Sequence, residues 1–225
     1  LVDLNRILEL KSITYTEDNI TLGSMITFTQ VLESEAIEKN LKSVFECSKN
    51  MGSPQIRNKA TIGGNIANAG SAADIVPCII SLGGILVIES IKGIRKISCE
   101  EYFRNYEKEK ISKNEILTRI IVPRSYVKSG FYKLGKRNSL AISRLTVALA
   151  INIEDEIINN FSVCLGAVGR FPYKVYELEK AAAGKRVEWL TTEEPLKILE
   201  KTVEESIKGR KTMPLMLKEA GYQTA

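Results

Sequence analysis

The chain has 225 residues, 44% of them hydrophobic and 26% charged, which is ordinary for a soluble globular protein with a substantial core. Its formal net charge is +5, but basic and acidic residues are interleaved, as in Arg104 to Lys110, so we expect no nucleic-acid partner. The absence of histidine excludes His-based acid–base pairs, His-dependent nucleophiles and His metal ligands.

The four cysteines, Cys47, Cys78, Cys99 and Cys164, lie far apart and form no C-x-x-C pair. They predict no local zinc or iron–sulfur motif, and we expect no metal site in the chain. Reduced, mostly buried thiols are typical of a cytosolic protein, so a cytoplasmic location is expected. No apolar stretch approaches about 18 residues, so no membrane span is predicted, and no signal peptide is visible.

The first elements in chain order are short. Two β-rich runs flank the turn signal at 17–19 and predict a hairpin. Thr27 and Gln30 form a capping box at the head of a helix. A second helix is predicted over 35–49 and ended by Gly52, with one apolar face made of Leu41, Val44, Phe45 and Ser48.

A glycine-rich segment at 58–74 separates these helices from a buried strand predicted at 81–90. Ser98 and Glu101 form another capping box, which predicts a short helix. The run at 115–123 predicts a strand that is stopped by its final proline.

From about Ser125 the pattern becomes β-rich, with strands predicted within 129–137, 143–154 and 157–169. The last two join in a hairpin at Asp155–Glu156. One helix is predicted over 173–183, stopped by Gly184. Another begins after Thr192 with Pro195 in its first turn and buries Leu196, Leu199, Val203 and Ile207.

Strands and helices mix without a strict βαβ alternation, so the chain is predicted to have an α+β fold rather than a doubly wound sheet. The change of pattern places a domain boundary near residue 125. We therefore expect one domain over 1–125 and a second over 126–225.

The segment NKATIGGNIANAGSAAD, residues 58–74, carries almost no bulky side chain. Paired glycines permit positive φ and a close approach of another atom, and successive amides of such a loop can form an anion-binding nest. With the hydroxyl of Thr61 and the amide of Asn65, the pair Gly63–Gly64 would suit a diphosphate, and Asp74 could accept bonds from a sugar diol. The alternative is a tight turn between closely packed elements. Neither the fingerprint G-x-G-x-x-G nor the P-loop pattern occurs.

The run from Ile56 to Ile88 resembles the second FAD-binding motif of molybdenum-hydroxylase flavoprotein subunits, the medium subunits of the xanthine dehydrogenase and carbon monoxide dehydrogenase group. The resemblance covers nearly the whole chain, through 1–10, 115–123, 130–153, 163–185 and 209–214. It implies a vanillyl-alcohol-oxidase (PCMH)-type FAD-binding domain, followed by a small C-terminal α+β domain with an antiparallel sheet.

The resemblance also implies a function. Such a subunit receives electrons from 2Fe–2S clusters on a small partner subunit and passes them through FAD, often to NAD+. Substrate hydroxylation takes place at a molybdopterin cofactor on a large partner subunit. The flavin carries the electron chemistry, so no catalytic residue is expected in this chain.

Carried over residue by residue, the resemblance assigns the FAD diphosphate to Thr61, Ile62, Gly63, Gly64 and Asn65. Asn68 and Asp74 match positions that reach the phosphate and the sugar or ribityl hydroxyls.

The flavin ring is assigned to four further positions. Met51 stands where the family can place an aromatic residue, and Leu117 matches a backbone contact beside the isoalloxazine. Lys133 matches a lysine near the polar edge of the ring, the alternative being an exposed strand lysine. Ile142 matches an apolar neighbour of the ring, with Ala141 in place of the acid that often precedes it.

The family's first FAD motif would precede Leu1, so the sequence reads as a fragment whose beginning is missing, and we expect weak or no FAD binding by these 225 residues alone. Two other functions stay open. One is a stand-alone flavin oxidoreductase of the same fold, similar to UDP-N-acetylenolpyruvoylglucosamine reductase, against which the match at 130–185 argues. The other is a flavin-free scaffold that holds partner subunits together.

Overall fold

A computed structural model of the protein describes residues 2–126, 128–135 and 143–206. Its two sheets are antiparallel and helices pack on them, which confirms the predicted α+β class. The strands are β1 (Ile13–Tyr15), β2 (Asn19–Gly23), β3 (Ile85–Ser90), β4 (Gly93–Ser98), β5 (Ile116–Pro123), β6 (Lys128–Gly135), β7 (Ser143–Glu154), β8 (Ile157–Gly166) and β9 (Tyr173–Lys174). The helices are α1 (Phe28–Leu32), α2 (Glu35–Asn40), α3 (Lys42–Lys49), α4 (Pro54–Arg57), α5 (Ile62–Asn68), α6 (Ile75–Ser81), α7 (Cys99–Arg104), α8 (Tyr106–Glu109), α9 (Tyr176–Ala182) and α10 (Glu193–Ser206), with 3-10 turns at Leu8–Lys11 and Val187–Thr191.

The first sheet has the strand order β1-β2-β5-β3-β4. The hairpin predicted around 17–19 is confirmed, because Ile13 pairs with Leu22 across it. Leu117, Ile120 and Val122 of β5 are buried in the main hydrophobic core. The step of three residues from Leu117 to Ile120 coincides with a register shift between Val87 and Ile88 in the pairing with β3. The capping box of Thr27 and Gln30 at the head of α1 is also confirmed.

The single helix predicted over 35–49 is wrong, because it is broken at Leu41 into α2 and α3. Leu41 leaves the helical region with φ −128° and ψ 57°. The amide of Ser43, freed by the break, donates instead to the Ser129 hydroxyl of β6 at 3.1 Å. The predicted face is nevertheless buried, since the break keeps the same side chains in the core: Leu41, Val44, Phe45 and Ser48.

The second sheet has the order β6-β7-β8-β9, and its β7–β8 turn at Asp155–Glu156 is confirmed. Both turn residues have positive φ, 48° and 65°, as a two-residue hairpin turn demands. One face of this sheet contributes Ala148, Ala150 and Cys164 to the main core, and the other packs on α9 and α10. Burial on both faces explains the continuous apolar run of β7, and the main core therefore extends across residue 125.

The helix predicted over 173–183 begins three residues later, at Tyr176. Tyr173 and Lys174 pair with the end of β8, so these two residues form a strand of the sheet instead of the first turn of the helix. Gly184, with φ +74°, follows the helix end as predicted. In α10, Leu199 and Val203 are buried and Leu196 is half-buried, whereas Ile207 lies outside the described residues.

Candidate cofactor-binding site

A cleft of about 260 Å³ lies where the start of α5 meets β5. It brings together four residues that the sequence assigns to the FAD site: Thr61, Gly63, Gly64 and Leu117. Sequence reasoning missed the other polar residues of the wall, Ser24 and Glu115. In the described structure, this cleft is where the residues assigned to the FAD diphosphate meet β5, which carries the residue assigned to the flavin ring.

The start of α5 is fixed by hydrogen bonds to residues 24–28, the segment after β2. The Ile62 amide donates to the Ile26 carbonyl at 3.0 Å, and the Phe28 amide donates to the Ala60 carbonyl at 3.2 Å. Thr61 is the N-cap, and its hydroxyl oxygen accepts from the Gly64 amide at 3.0 Å. The glycine-rich segment is thus a capped helix, which Ala69 ends with φ 47°.

The predicted nest of free glycine amides is wrong. Gly63 donates to the Ser24 carbonyl at 2.8 Å, Gly64 donates to Thr61, and Asn65 donates to the Thr61 carbonyl at 3.0 Å. Neither glycine is among the described residues with positive φ. The reason is that the Thr61 cap starts a regular helix here, and the first-turn amides find partners within the protein.

The two glycines meet different steric demands. A Cβ on Gly63 would lie 2.5 Å from the Ser24 Cβ and 2.6 Å from the Ser24 carbonyl oxygen, so no side chain fits there. A Cβ on Gly64 would approach only the Thr61 hydroxyl, at 2.8 Å, and this residue is exposed. Close packing therefore explains Gly63, while Gly64 leaves bare backbone in the cleft wall.

Ser24 lines the cleft, and its hydroxyl is buried without a hydrogen-bond partner among the residues that the structure describes. Buried polar atoms normally have partners, so an unpaired hydroxyl beside the family motif fits a site that a polar ligand completes. The side-chain oxygen of Asn65, a neighbour of the cleft-lining Gly64, is likewise buried without a partner among the described residues. The residues present at the cleft therefore fit a bound nucleotide cofactor.

Asp74 and Lys133 do not line this cleft. Asp74 is buried, with its side chain 5% exposed. One carboxylate oxygen accepts from the Lys133 ammonium at 2.7 Å, and the other accepts from the Ser143 hydroxyl. Lys133 also donates to the Asn50 carbonyl at 3.4 Å. The alternative of an exposed strand lysine is wrong, because this side chain is only 12% exposed and joins β6 to the start of α6.

The remaining predicted residues lie elsewhere. Ile62 is fully buried in the main core, and Met51 is half-buried against that core. Asn68 is exposed at the last position of α5. Ile142 lies outside the described residues.

Glu115 places a carboxylate in the cleft wall. The Arg95 guanidinium donates to it through two nitrogens, at 2.7 and 3.1 Å, and the Ser112 amide donates at 3.0 Å. The Arg95 bonds first, and then that amide, lower the pKa of Glu115 to about 2. The carboxylate is therefore ionised, and Arg95 compensates a charge that would otherwise repel an anionic ligand.

Within residues 2–126, 128–135 and 143–206, no group of three or more cysteine, aspartate and glutamate side chains could hold a metal ion. No helix in that same part of the chain has the length and apolar character needed to span a bilayer.

Comparison with known families matches both halves of the chain. Residues 1–125 match the family described as FAD binding domain in molybdopterin dehydrogenase. Residues 130–220 match the family described as CO dehydrogenase flavoprotein C-terminal domain.

Among curated proteins, the chain is 32% identical over 216 residues to the nicotinate dehydrogenase FAD-subunit of Eubacterium barkeri, covering 93% of this chain and 73% of that protein. It is 27% identical to the xanthine dehydrogenase FAD-binding subunit of Escherichia coli O157:H7, covering 81% of this chain but only 64% of that protein. Among solved structures, a chain of Cu,Mo-CO dehydrogenase aligns with a TM-score of 0.85 at 23% identity, over 99% of this chain and 78% of that one. At this identity the structural likeness shows the shared fold.

Proposed function

Because the chain belongs to the family of FAD-binding domains of molybdopterin dehydrogenases, we propose that it acts as the FAD-binding subunit of a molybdenum hydroxylase. The assignment is to an oxidoreductase whose relatives are dehydrogenase subunits. In this proposal residues 1–125 hold the cofactor and 126–225 form the C-terminal domain. FAD supplies the electron chemistry, and the chain binds, orients and shields it.

The cleft between α5 and β5 is the observation that carries the proposal. It joins Thr61, Gly63 and Gly64 of the family motif to Leu117, the residue assigned to the flavin side. The exposed backbone of Gly64 leaves room for a cofactor to approach. The hydroxyl group of Thr61 can bond its polar part, and Arg95 keeps the charge of Glu115 compensated.

In the proposed assembly, a small subunit with 2Fe–2S clusters delivers electrons and a large molybdopterin subunit oxidises the substrate. The acceptor that drains the flavin is NAD+ in the simplest form of the proposal. The relatives act on different compounds, as the names nicotinate dehydrogenase and xanthine dehydrogenase state, so the substrate is left unassigned.

The test is to produce the full-length protein together with its proposed large and small partner subunits. We expect the three to copurify with one FAD per copy of this chain. We also expect the flavin absorbance to bleach when the complex receives the substrate of its large subunit, and to recover on addition of NAD+. A complex that forms and turns over with no flavin would overturn the proposal.

One observation favours a flavin-free scaffold as the second candidate. The first-turn amides of α5 are bonded within the protein, so the motif is stable without a ligand. A scaffold would assemble with its partners and take up no FAD from excess cofactor, which the same preparation measures. A stand-alone flavin oxidoreductase would instead turn over without partners, and the C-terminal domain match at 130–220 argues against it.

A cytoplasmic location is part of the proposal. All four cysteines are unpaired and buried, which suits a reducing compartment. Equal amounts of the protein in cytosolic and membrane or exported fractions would contradict it.

A further inference from the structure

Ser24 stands out among the residues of the cleft because nothing in the sequence motif assigns it a role. We propose that the Ser24 hydroxyl donates a hydrogen bond to an anionic oxygen of the FAD diphosphate, which makes Ser24 a cofactor-positioning residue. The inference rests on the proposed function, since it names a further contact of the same site.

The backbone holds this serine in place from both sides. Its amide donates to the Thr118 carbonyl of β5 at 2.9 Å, and its carbonyl accepts from the Gly63 amide at 2.8 Å. The residue is 3% exposed, and within residues 2–126, 128–135 and 143–206 its hydroxyl has no hydrogen-bond partner. The side chain is therefore positioned before any ligand arrives, which keeps the ordering cost of a new hydrogen bond small.

The donors beside the glycine pair are hydroxyls. The amides of Ile62, Gly63 and Gly64 are all engaged within the protein. The Thr61 oxygen accepts from Gly64, so its own O–H remains able to donate. The Ser24 O–H is the second such donor, and an anionic acceptor makes this kind of bond stronger than a neutral one.

The burial of an unpaired hydroxyl costs stability unless a ligand satisfies it. Removal of the Ser24 hydroxyl should therefore leave the cofactor-free protein as stable as before, or more stable, while it weakens FAD binding. A residue with a purely structural role would move both quantities in the same direction.

The chain offers two matched controls. The hydroxyls of Ser43 and Ser162 are also buried and find no partner in the described part of the chain, but neither residue lines the cleft. Replacement of either by Ala removes the same group in the same kind of environment. The apo-protein should again keep its stability, and FAD affinity should not change.

The experiment uses the complete subunit with the variants Ser24→Ala, Ser43→Ala and Ser162→Ala. FAD dissociation constants come from quenching of flavin fluorescence, and urea midpoints are measured for the apo-proteins. We expect Ser24→Ala to raise the dissociation constant by about 10- to 100-fold, the range typical of a hydrogen bond to a charged group. The two controls should stay within about twofold, and no urea midpoint should fall.

If the FAD dissociation constant of Ser24→Ala stays within twofold of the wild-type value, this proposal is overturned. The proposed function would still stand in that case, because the wild-type protein binds FAD. An equal loss of affinity in the two controls would also overturn it, because the effect would then be global. If the wild-type subunit bound no FAD, the proposed function would fail and this inference with it.

Discussion

Replacement of Lys133 by Met is expected to lower the free energy of unfolding by about 3–5 kcal/mol, because it would strand the buried carboxylate of Asp74. The two charged groups lie 2.7 Å apart, with side chains 12% and 5% exposed. The Ser143 hydroxyl would still donate to one carboxylate oxygen, but a neutral hydroxyl cannot balance the negative charge of Asp74.

The magnitude follows from burial rather than from the attraction alone. At an effective dielectric constant of about 20, two unit charges at this distance attract by roughly 6 kcal/mol, most of which offsets the loss of hydration. The double variant Asp74→Asn, Lys133→Met removes both charges, and we expect it to recover most of the stability lost in Lys133→Met.

The pair Lys197–Glu193 provides the control. It has a similar separation, 3.0 Å, but its side chains are 72% and 83% exposed. Lys197→Met should therefore cost no more than about 0.5 kcal/mol.

Urea unfolding of the wild type and the variants, followed by circular dichroism, measures all four free energies. If Lys133→Met costs no more than Lys197→Met, the pair is not excluded from water and the reasoning is refuted. If Lys133→Met fails to fold, the double variant decides: recovery of folding supports an uncompensated charge as the cause, and failure to recover contradicts it.

Three further outcomes are expected. Gly63→Ala should destabilise the protein by about 1–3 kcal/mol and weaken FAD binding, because its Cβ would lie 2.6 Å from a backbone oxygen. Gly64→Ala should destabilise the protein less. Urea unfolding curves of the two variants measure the difference, and equal losses of stability would contradict the prediction. The pKa of Glu115 falls from 4.5 to about 2 on folding, so its contribution is complete above pH 4.5 and is lost as the pH falls toward 2. Between pH 4.5 and 2, Glu115→Gln should therefore reduce the pH-dependent change in the free energy of unfolding by at most about 3 kcal/mol. An unchanged pH dependence would contradict the lowered pKa of Glu115. Burial raises the pKa of Cys47, Cys99 and Cys164, and Cys78 is buried as well, so a thiol reagent should modify none of the four in native protein and all four in urea; rapid native modification would show an opening of the core.

The features predicted correctly from the sequence are those determined by nearest neighbours along the chain. The capping box at Thr27 and Gln30 places donor and acceptor three residues apart, and the turn at Asp155–Glu156 lies between two strands of matched pattern. The motif predicts Thr61 as a diphosphate contact, which stays a prediction, and it gave no sign that Thr61 caps a helix.

The features that the sequence could not supply depend on partners far away in the chain. The break at Leu41 is compensated by Ser129, 86 residues beyond the amide that it satisfies. The negative charge of Glu115 in the cleft wall is balanced by Arg95, which lies 20 residues earlier in the chain. Ser24 could have been suspected only as a small polar residue after the glycine that ends β2, which is too weak a signal to assign a site.

The glycine pair shows how one sequence feature can serve two purposes. Close packing accounts for Gly63, whereas Gly64 leaves its backbone open to the cleft. Because Gly63 has no side chain, α5 can approach Ser24 closely enough for the Gly63 amide to donate to the Ser24 carbonyl. Close packing thus brings α5 against the serine on which cofactor recognition is proposed to depend, while the first-turn amides of the helix stay bonded within the protein.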